Sequence, residues 1–299
     1  MATVFPIPAV QASPMITPDL LSRLWCPTCR SSGLRPSGWD GSSQDDGELR
    51  CQGCGATYAV RSGIPILVPE AARTEAEWEL WREHLRKFQA RRETRVRQPR
   101  SPLTRVAGKS RPQASFARFT DIRRGAVLDV GCGPGKFRVH FDPNRVSYVG
   151  LDPIALPEVR DFPFVQGLAE SIPFVEDSFT DVVVLAALDH FRDLGDFLRE
   201  ARRVLRPGGK LHVLQSVHQV RGPISAVKVL GHRVKDALEE RRTAAHGREV
   251  PKHLAEFTRS SLLERVRREF DLISTGRYTA TWYAPDQMFL TLTPRGGLQ

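Results

Sequence analysis

Eleven residues, Val127-Leu-Asp-Val-Gly-Cys-Gly-Pro-Gly-Lys-Phe137, constrain this chain more than any other stretch. An apolar run ending in an acid reads as a strand, and Gly131, Gly133 and Gly135 then make a tight turn that leads into a helix. Glycine takes positive φ and lets the backbone approach a ligand closely. A second apolar run, Val149-Gly-Leu-Asp-Pro153, ends on Asp152, an acid placed to accept hydrogen bonds from ribose hydroxyls. The glycine spacing is G-x-G-x-G, with Lys136 where a dinucleotide fingerprint has its third glycine, which weakens a nicotinamide reading. No G-K-[ST] follows, so a Walker phosphate loop is excluded.

From about residue 115 onward, strands alternate with helices. Short apolar runs at Ala126–Val130, Ser147–Leu151, Phe164–Gln166, Asp181–Leu185 and Lys210–Leu214 read as strands, with a helix over Leu194–Leu205. A further helix, about Thr258–Glu269, and strands at about Ile273–Thr281 and Met288–Leu292 close the chain. This alternation predicts a parallel sheet with helices on both faces. Hydrophobic residues are 40% and charged residues 26% of the 299, the composition of a globular chain. No run approaches the ~18–20 apolar residues of a membrane span, and Met1–Leu20 lacks the basic start of a signal peptide. A cytoplasmic location and no membrane partner are expected.

Four motifs together resemble the class I S-adenosylmethionine (SAM) dependent methyltransferases, of methyltransferase type 11. They are VLDVGCGPG, VGLDP, Gly167-Leu-Ala-Glu-Ser-Ile-Pro-Phe174 with Asp177-Ser-Phe-Thr-Asp181, and Leu198-Arg-Glu-Ala-Arg-Arg-Val-Leu-Arg-Pro-Gly-Gly209. The resemblance covers about residues 115–292 and implies a Rossmann-like α/β fold, a seven-stranded methyltransferase sheet with helices on both faces. It also implies a cofactor site. Asp129 and the loop backbone at Gly131, Cys132, Gly133 and Gly135 would hold the methionine end of SAM, and Asp152 with Pro153 the ribose. Leu168 and Ala169 would border the adenine, and Leu185 and Ala186 the sulfonium. Many relatives have an acid at the position of Leu168; leucine cannot bond the adenine amino group, so a backbone group or water replaces it, or affinity is lower.

Cys26-Pro-Thr-Cys29 and Cys51-Gln-Gly-Cys54 supply four thiols as two C-x-x-C pairs. In a chain without an export signal such pairs favour metal over disulfides, and four sulfurs suit a closed structural zinc site. LWCPTC, LRCQGCGATY and GIPIL are similar to the small zinc-ribbon proteins that partner tRNA and release-factor methyltransferases, and to the zinc-bearing N-terminus of rRNA guanine methyltransferases. Similar ribbons also precede domains acting on small molecules. The expected organisation is a flexible lead-in over 1–20, a zinc ribbon over 21–69, a basic helix and linker over 70–114, and the methyltransferase domain over 115–299 with an insertion at about 217–256.

In the connector, a helix is expected over Thr74–Val96, with Trp78, Trp81, Leu85 and Phe88 on one face, packed on the body of the protein. Residues 72–112 carry twelve Lys or Arg against five Glu, much of the +10 net charge. This reads as a solvated basic helix or as an RNA surface. His190, in Leu188-Asp-His-Phe191, follows the fourth strand and is the first candidate for a general base, ahead of its neighbour Asp189; His253, at the end of the insertion, is the second. His218, His232 and His246 read as surface residues. The readings weighed are a SAM-dependent methyltransferase moving a methyl group to an O or N atom of a small molecule, an RNA methyltransferase using the ribbon and basic segment, and a non-catalytic scaffold.

Overall fold

The computed structural model describes residues 16–38, 46–97, 111–154, 162–217, 254–279 and 286–296. Among these, no helix is long and apolar enough to cross a membrane. The larger sheet has seven strands: β5 (Gly125–Val130), β6 (Val146–Asp152), β7 (Phe164–Gln166), β8 (Phe179–Leu185), β9 (Leu205–Val217), β10 (Phe270–Tyr278) and β11 (Asp286–Pro294). Their order is β10-β11-β9-β8-β5-β6-β7. The strands from β9 to β7 run parallel, and β11 and β10 add antiparallel at one edge. The seven-stranded α/β sheet is the one expected from the resemblance.

Successive residues of a strand face opposite sides, and the strands are apolar toward both. Leu128, Val130, Val182 and Val184 belong to one core cluster, with Phe197, Leu198 and Ala201 of a helix over Leu194–Val204 and Leu262 and Val266 of one over Arg259–Val266. Val127 and Val183 face a second cluster with Phe116, from a helix over Arg111–Thr120. That helix begins at Arg111, inside the segment expected to be basic helix and linker as far as residue 114, and residues 98–110 of that segment lie outside the described ones. Residues 218–253 of the insertion, with His218, His232, His246 and His253, also lie outside them.

The cysteine-bearing segment forms a small antiparallel sheet, β1 (Leu34–Ser37), β2 (Gly47–Cys51), β3 (Thr57–Arg61) and β4 (Ile64–Pro65). It is stitched to the edge of the larger sheet. Ile66 bridges Gln166 of β7 in parallel, and the Leu67 N–H donates to the Gln166 carbonyl at 2.8 Å. Leu20, Leu24, Leu49, Val60 and Leu67 share one buried cluster with Leu128, Leu151 and Phe174, so a single core runs through both units.

The expected flexible lead-in is corrected at its end. Ile16 and Leu20 are buried, and a short helix, α1 (Pro18–Arg23), starts with Pro at its first position and Thr17 accepting the Leu20 N–H at 3.1 Å. Proline preset for the helix and a hydroxyl on a free amide suffice to start it. The connector helix is also not continuous. It divides into α2 (Glu70–Thr74), a 3₁₀ turn over Ala76–Trp78 and α3 (Glu79–Arg97), with an extended Glu75 at the break. Arg82 donates to the carbonyls of Ala72 and Glu75 at 3.3 and 2.9 Å, satisfying groups released there. Trp78 and Trp81 meet edge to face at 5.3 Å and join a small cluster with Val68, Ala72 and Leu168, with Leu85 packed against it. The side chain of Phe88 lies outside the described ones.

Candidate functional site

At the carboxyl ends of β5, β6 and β8 the chain crosses from one half of the sheet to the other, where open α/β sheets leave a crevice. A cavity of about 680 Å³, open to solvent in part, fills this position. Its floor carries Gly131, Asp152, Pro153, Leu168, Ala169, Leu185, Ala186 and His190, eight of the residues singled out in the sequence. Its roof is α3, through Trp81 and Leu85, two of the residues expected on the packed face, and His84, which the sequence did not single out.

The three loop glycines have φ of 71°, 53° and 64°. A Cβ on Gly131 would stand 2.6 Å from that of Ala187, and one on Gly135 would stand 2.4 Å from the Phe162 ring. The loop therefore closes against β8 on one side and a phenylalanine on the other only because it lacks side chains. It passes into a 3₁₀ turn over Lys136–His140 where a helix was expected. Asp142-Pro143 follows, and a proline disfavours helical backbone at the residue before it. Ala186, at the end of β8, holds φ 51°, a strained value for a residue with a Cβ, and its N–H is tied to the Leu214 carbonyl at 2.7 Å.

Asp152 braces the loop. Its Oδ2 accepts the Gly133 N–H and its Oδ1 the Ile154 N–H, both at 2.8 Å. Gly133 thus serves the site through Asp152, and together with Cys132, Gly135 and Asp129 it lies outside the cavity lining. Asp129 is buried below the loop, and its Oδ2 accepts the Tyr148 hydroxyl at 2.6 Å. Burial pushes its carboxyl up to about 7, against the Tyr148 bond and with the help of the Asp152 charge. Its other oxygen, Oδ1, is buried with no hydrogen-bond partner among the described residues. Leu168 is 1% exposed and shares a cluster with Trp78 and Trp81, so at the position where the resemblance implied an acid this chain has a packing residue for the roof.

These features fit SAM. The orphaned Asp129 oxygen suits a cationic amino group, Asp152 can accept further bonds because each carboxylate oxygen has two lone pairs, and the glycine turn leaves backbone exposed to a ligand. Three wall residues were not foreseen. Glu170 accepts the Arg192 and Asp193 N–H groups at 2.5 and 3.3 Å, and burial raises its carboxyl above the ordinary range while backbone bonds oppose the rise. Phe191 closes one end. His84, 3% exposed, meets His190 across the cavity wall, Nε2 to Nδ1 at 3.1 Å. No local motif marks His84; only its helical spacing of three from Trp81 places it on the buried stripe.

The sulfurs of Cys26, Cys29, Cys51 and Cys54 lie within 4.8 Å of one another. Cys26–Cys54 and Cys29–Cys51 are 3.7 and 3.5 Å apart, close to the roughly 3.8 Å edge of a tetrahedron with Zn–S bonds of about 2.3 Å. Burial opposes ionisation of Cys51, yet the Ser31 hydroxyl and the Cys54 and Gly53 N–H groups bring it down to about 6. The Ala56 N–H favours a Cys54 thiolate, but desolvation and three neighbouring thiols push that group up to about 12. A cation among the four sulfurs would be bound by them as thiolates.

Residues 128–213 match the protein family described as Methyltransferase domain. The chain is 35% identical over 133 residues to an uncharacterized methyltransferase, YcgJ, of Bacillus subtilis, covering 37% of this chain and 52% of that protein. It is 32% identical over 130 residues to the ubiquinone/menaquinone biosynthesis C-methyltransferase UbiE of Haemophilus ducreyi, covering 37% and 50%. The chain thus spans about half the length of these relatives. Among solved structures, a Burkholderia thailandensis 1,6-didemethyltoxoflavin-N1-methyltransferase with bound 1,6-didemethyltoxoflavin and S-adenosylhomocysteine superposes with a TM-score of 0.51. At 19% identity, covering 79% of this chain and 95% of that one, it shows a common fold.

Proposed function

We propose that this chain, which carries a class I SAM-dependent methyltransferase domain, moves a methyl group to an O or N atom of a small-molecule acceptor bound beneath α3. The observation that carries the reading is the roofed cavity: the strand ends form its floor, and Trp81, His84 and Leu85 close it from above. SAM, when bound, supplies an electrophilic methyl group. Asp129 and the loop backbone would hold its methionine end and Asp152 its ribose, with Pro153, Leu168, Ala169, Leu185 and Ala186 completing the walls. Such a pocket catalyses by holding nucleophile and methyl in line and excluding water. Apolar walls with a few polar groups are the usual lining of a small-molecule site. The described cations of α3 do not favour RNA. Arg82 and Arg86 pair with Glu79, and Lys87 with Glu83. Cys26, Cys29, Cys51 and Cys54 would hold a structural zinc that braces the edge of β7, and a reduced thiol cluster suits a cytoplasmic setting.

The test is calorimetric titration with S-adenosylhomocysteine, followed by transfer of labelled methyl from SAM to a small-molecule library and to bulk RNA in parallel. Binding by wild type, weakened in Asp152→Ala, with label entering a small molecule, supports the reading. Label entering RNA instead moves the assignment to the nucleic acid. No binding by folded, zinc-loaded protein leaves a scaffold role.

A further inference from the structure

We propose that His84 and His190 act as one proton-accepting pair at the acceptor wall, His190 as the base and His84 as the positioning residue behind it. This rests on the methyl-transfer reading above. The acceptor it implies is an O–H or N–H nucleophile that loses its proton as it is methylated.

The two imidazoles come from positions 106 residues apart and meet at 3.1 Å, ring centroids 5.3 Å apart and planes tilted by 32°. Both line the cavity, whose neighbouring surface is Trp81, Leu85 and Phe191. Burying an imidazole on a helix face that otherwise packs tryptophan and leucine costs free energy unless it is hydrogen-bonded, and the bond to His190 offsets that cost. A leucine at position 84 would fill the same stripe. The bond engages Nδ1 of His190, and Nε2 is the ring nitrogen assigned to the acceptor's proton. As the acceptor lone pair bonds to the methyl carbon, the carbon–sulfur bond breaks and its electrons stay on sulfur. The acceptor proton goes to Nε2 of His190, and the proton on Nδ1 shifts along the 3.1 Å bond to Nε2 of His84. The second ring thus makes the first a stronger base at the moment of transfer, the usual way a positioned imidazole is tuned.

Among the described residues, the other titratable or charged groups near the pair are Glu170 and Asp152 on the cavity wall, Asp189 and Arg192 beside His190 in the chain, and the paired Glu83 and Lys87 beside His84 on α3. Arg192 is drawn aside, its guanidinium 4.1 Å from the centre of the Trp78 ring. A pair that already carries the extra proton cannot accept the acceptor's, so transfer fades as the pair becomes protonated at low pH.

The deciding experiment is ¹⁵N NMR titration of histidine-labelled protein saturated with S-adenosylhomocysteine, for wild type, His84→Phe and His84→Gln. The pair predicts that His190 titrates at lower pH in His84→Phe, and that His84→Gln, whose carbonyl still accepts from Nδ1, restores most of the midpoint. The acid limb of the methyl-transfer rate then moves with the NMR midpoint, and His190→Gln lowers the rate by about 10²-fold with acceptor KM little changed. If S-adenosylhomocysteine binds but the His190 midpoint is the same in all three proteins, the pair is overturned and methyl transfer stands. If wild type does not bind it, the methyl-transfer reading falls and the pair's role with it. Should His84→Phe fail to fold, the comparison of His84→Gln with wild type decides, through the ring-nitrogen shifts of His190.

Discussion

The floor and the roof of the cavity are built by opposite rules. The floor residues sit at strand ends or in the turns that follow them, within or next to recognisable motifs, and backbone geometry fixes several: Gly131 by its φ, Asp152 by two amide bonds, Ala186 by its tie to Leu214. The roof residues Trp81, His84 and Leu85 belong to a helix placed by tertiary packing alone, through Val68, Ala72 and Leu168. A site can thus keep a motif-coded cofactor half while its other half is set by whatever packs above it.

Removing the metal should test the roof most severely. With zinc held by the four cysteines as proposed, chelation, or Cys51→Ser, is expected to unfold the small sheet, because a unit with so little core of its own would depend on its ion. Since the core is shared, the melting temperature should fall by more than about 10 °C, and S-adenosylhomocysteine affinity should fall as β7 loses Leu67. Unchanged calorimetric melting and binding would show that floor and roof are independent.

Trp81→Ala comes next. It removes a 7% exposed indole and should lower stability by about 3 kcal/mol in a denaturant titration, while S-adenosylhomocysteine affinity changes less than about threefold. A large loss of affinity would mean that the roof holds cofactor as well as acceptor. Asp152→Ala should do the reverse, weakening binding by about 2–3 kcal/mol on the scale of hydrogen bonds to a charged group with the roof in place, as read by calorimetry.

The smallest effect concerns Asp129. Its carboxyl is raised from 3.8 to about 7 in the folded protein. Folding therefore favours the protonated form, and that contribution is complete below about 3.8 and lost as pH rises through about 7. Between pH 5 and 8 wild type should lose on the order of 2 kcal/mol relative to Asp129→Asn. Denaturation curves at the two pH values check this, and saturation with SAM, whose amino group would face Oδ1, should flatten the slope.

The sequence made the floor legible because glycine spacing and strand-ending acids are local signals. Phe164–Gln166 emerged with its true bounds, and β5, β6 and β8 to within two residues. The small sheet was less legible. Leu34–Ser37 and Gly47–Cys51 are short, hold Arg, Pro and Gly, and form strands because pairing and the shared core override weak propensity. The break at Glu75 had no proline or glycine to announce it; Arg82, seven residues on, supplies the bonds that make it tolerable. His84 was hidden for the same reason as the roof, since its partner lies 106 residues away.

The joint between Leu67 and Gln166 also bears on how the chain reaches its fold. Synthesis runs from the N-terminus, so the small sheet and α3 are made before the edge strand and the cavity floor they cover. Until β7 and the residues after it exist, Leu67 lacks the Gln166 carbonyl and Val68, Trp78 and Trp81 lack Leu168 to pack against. Contacts of this sequence separation form late and slowly, and exposed apolar surface invites misassembly in the interval. Early capture of an ion by Cys26, Cys29, Cys51 and Cys54 would hold half of this layer in register while the rest is made. In refolding, zinc present from the start should therefore give a higher yield than zinc added at the end.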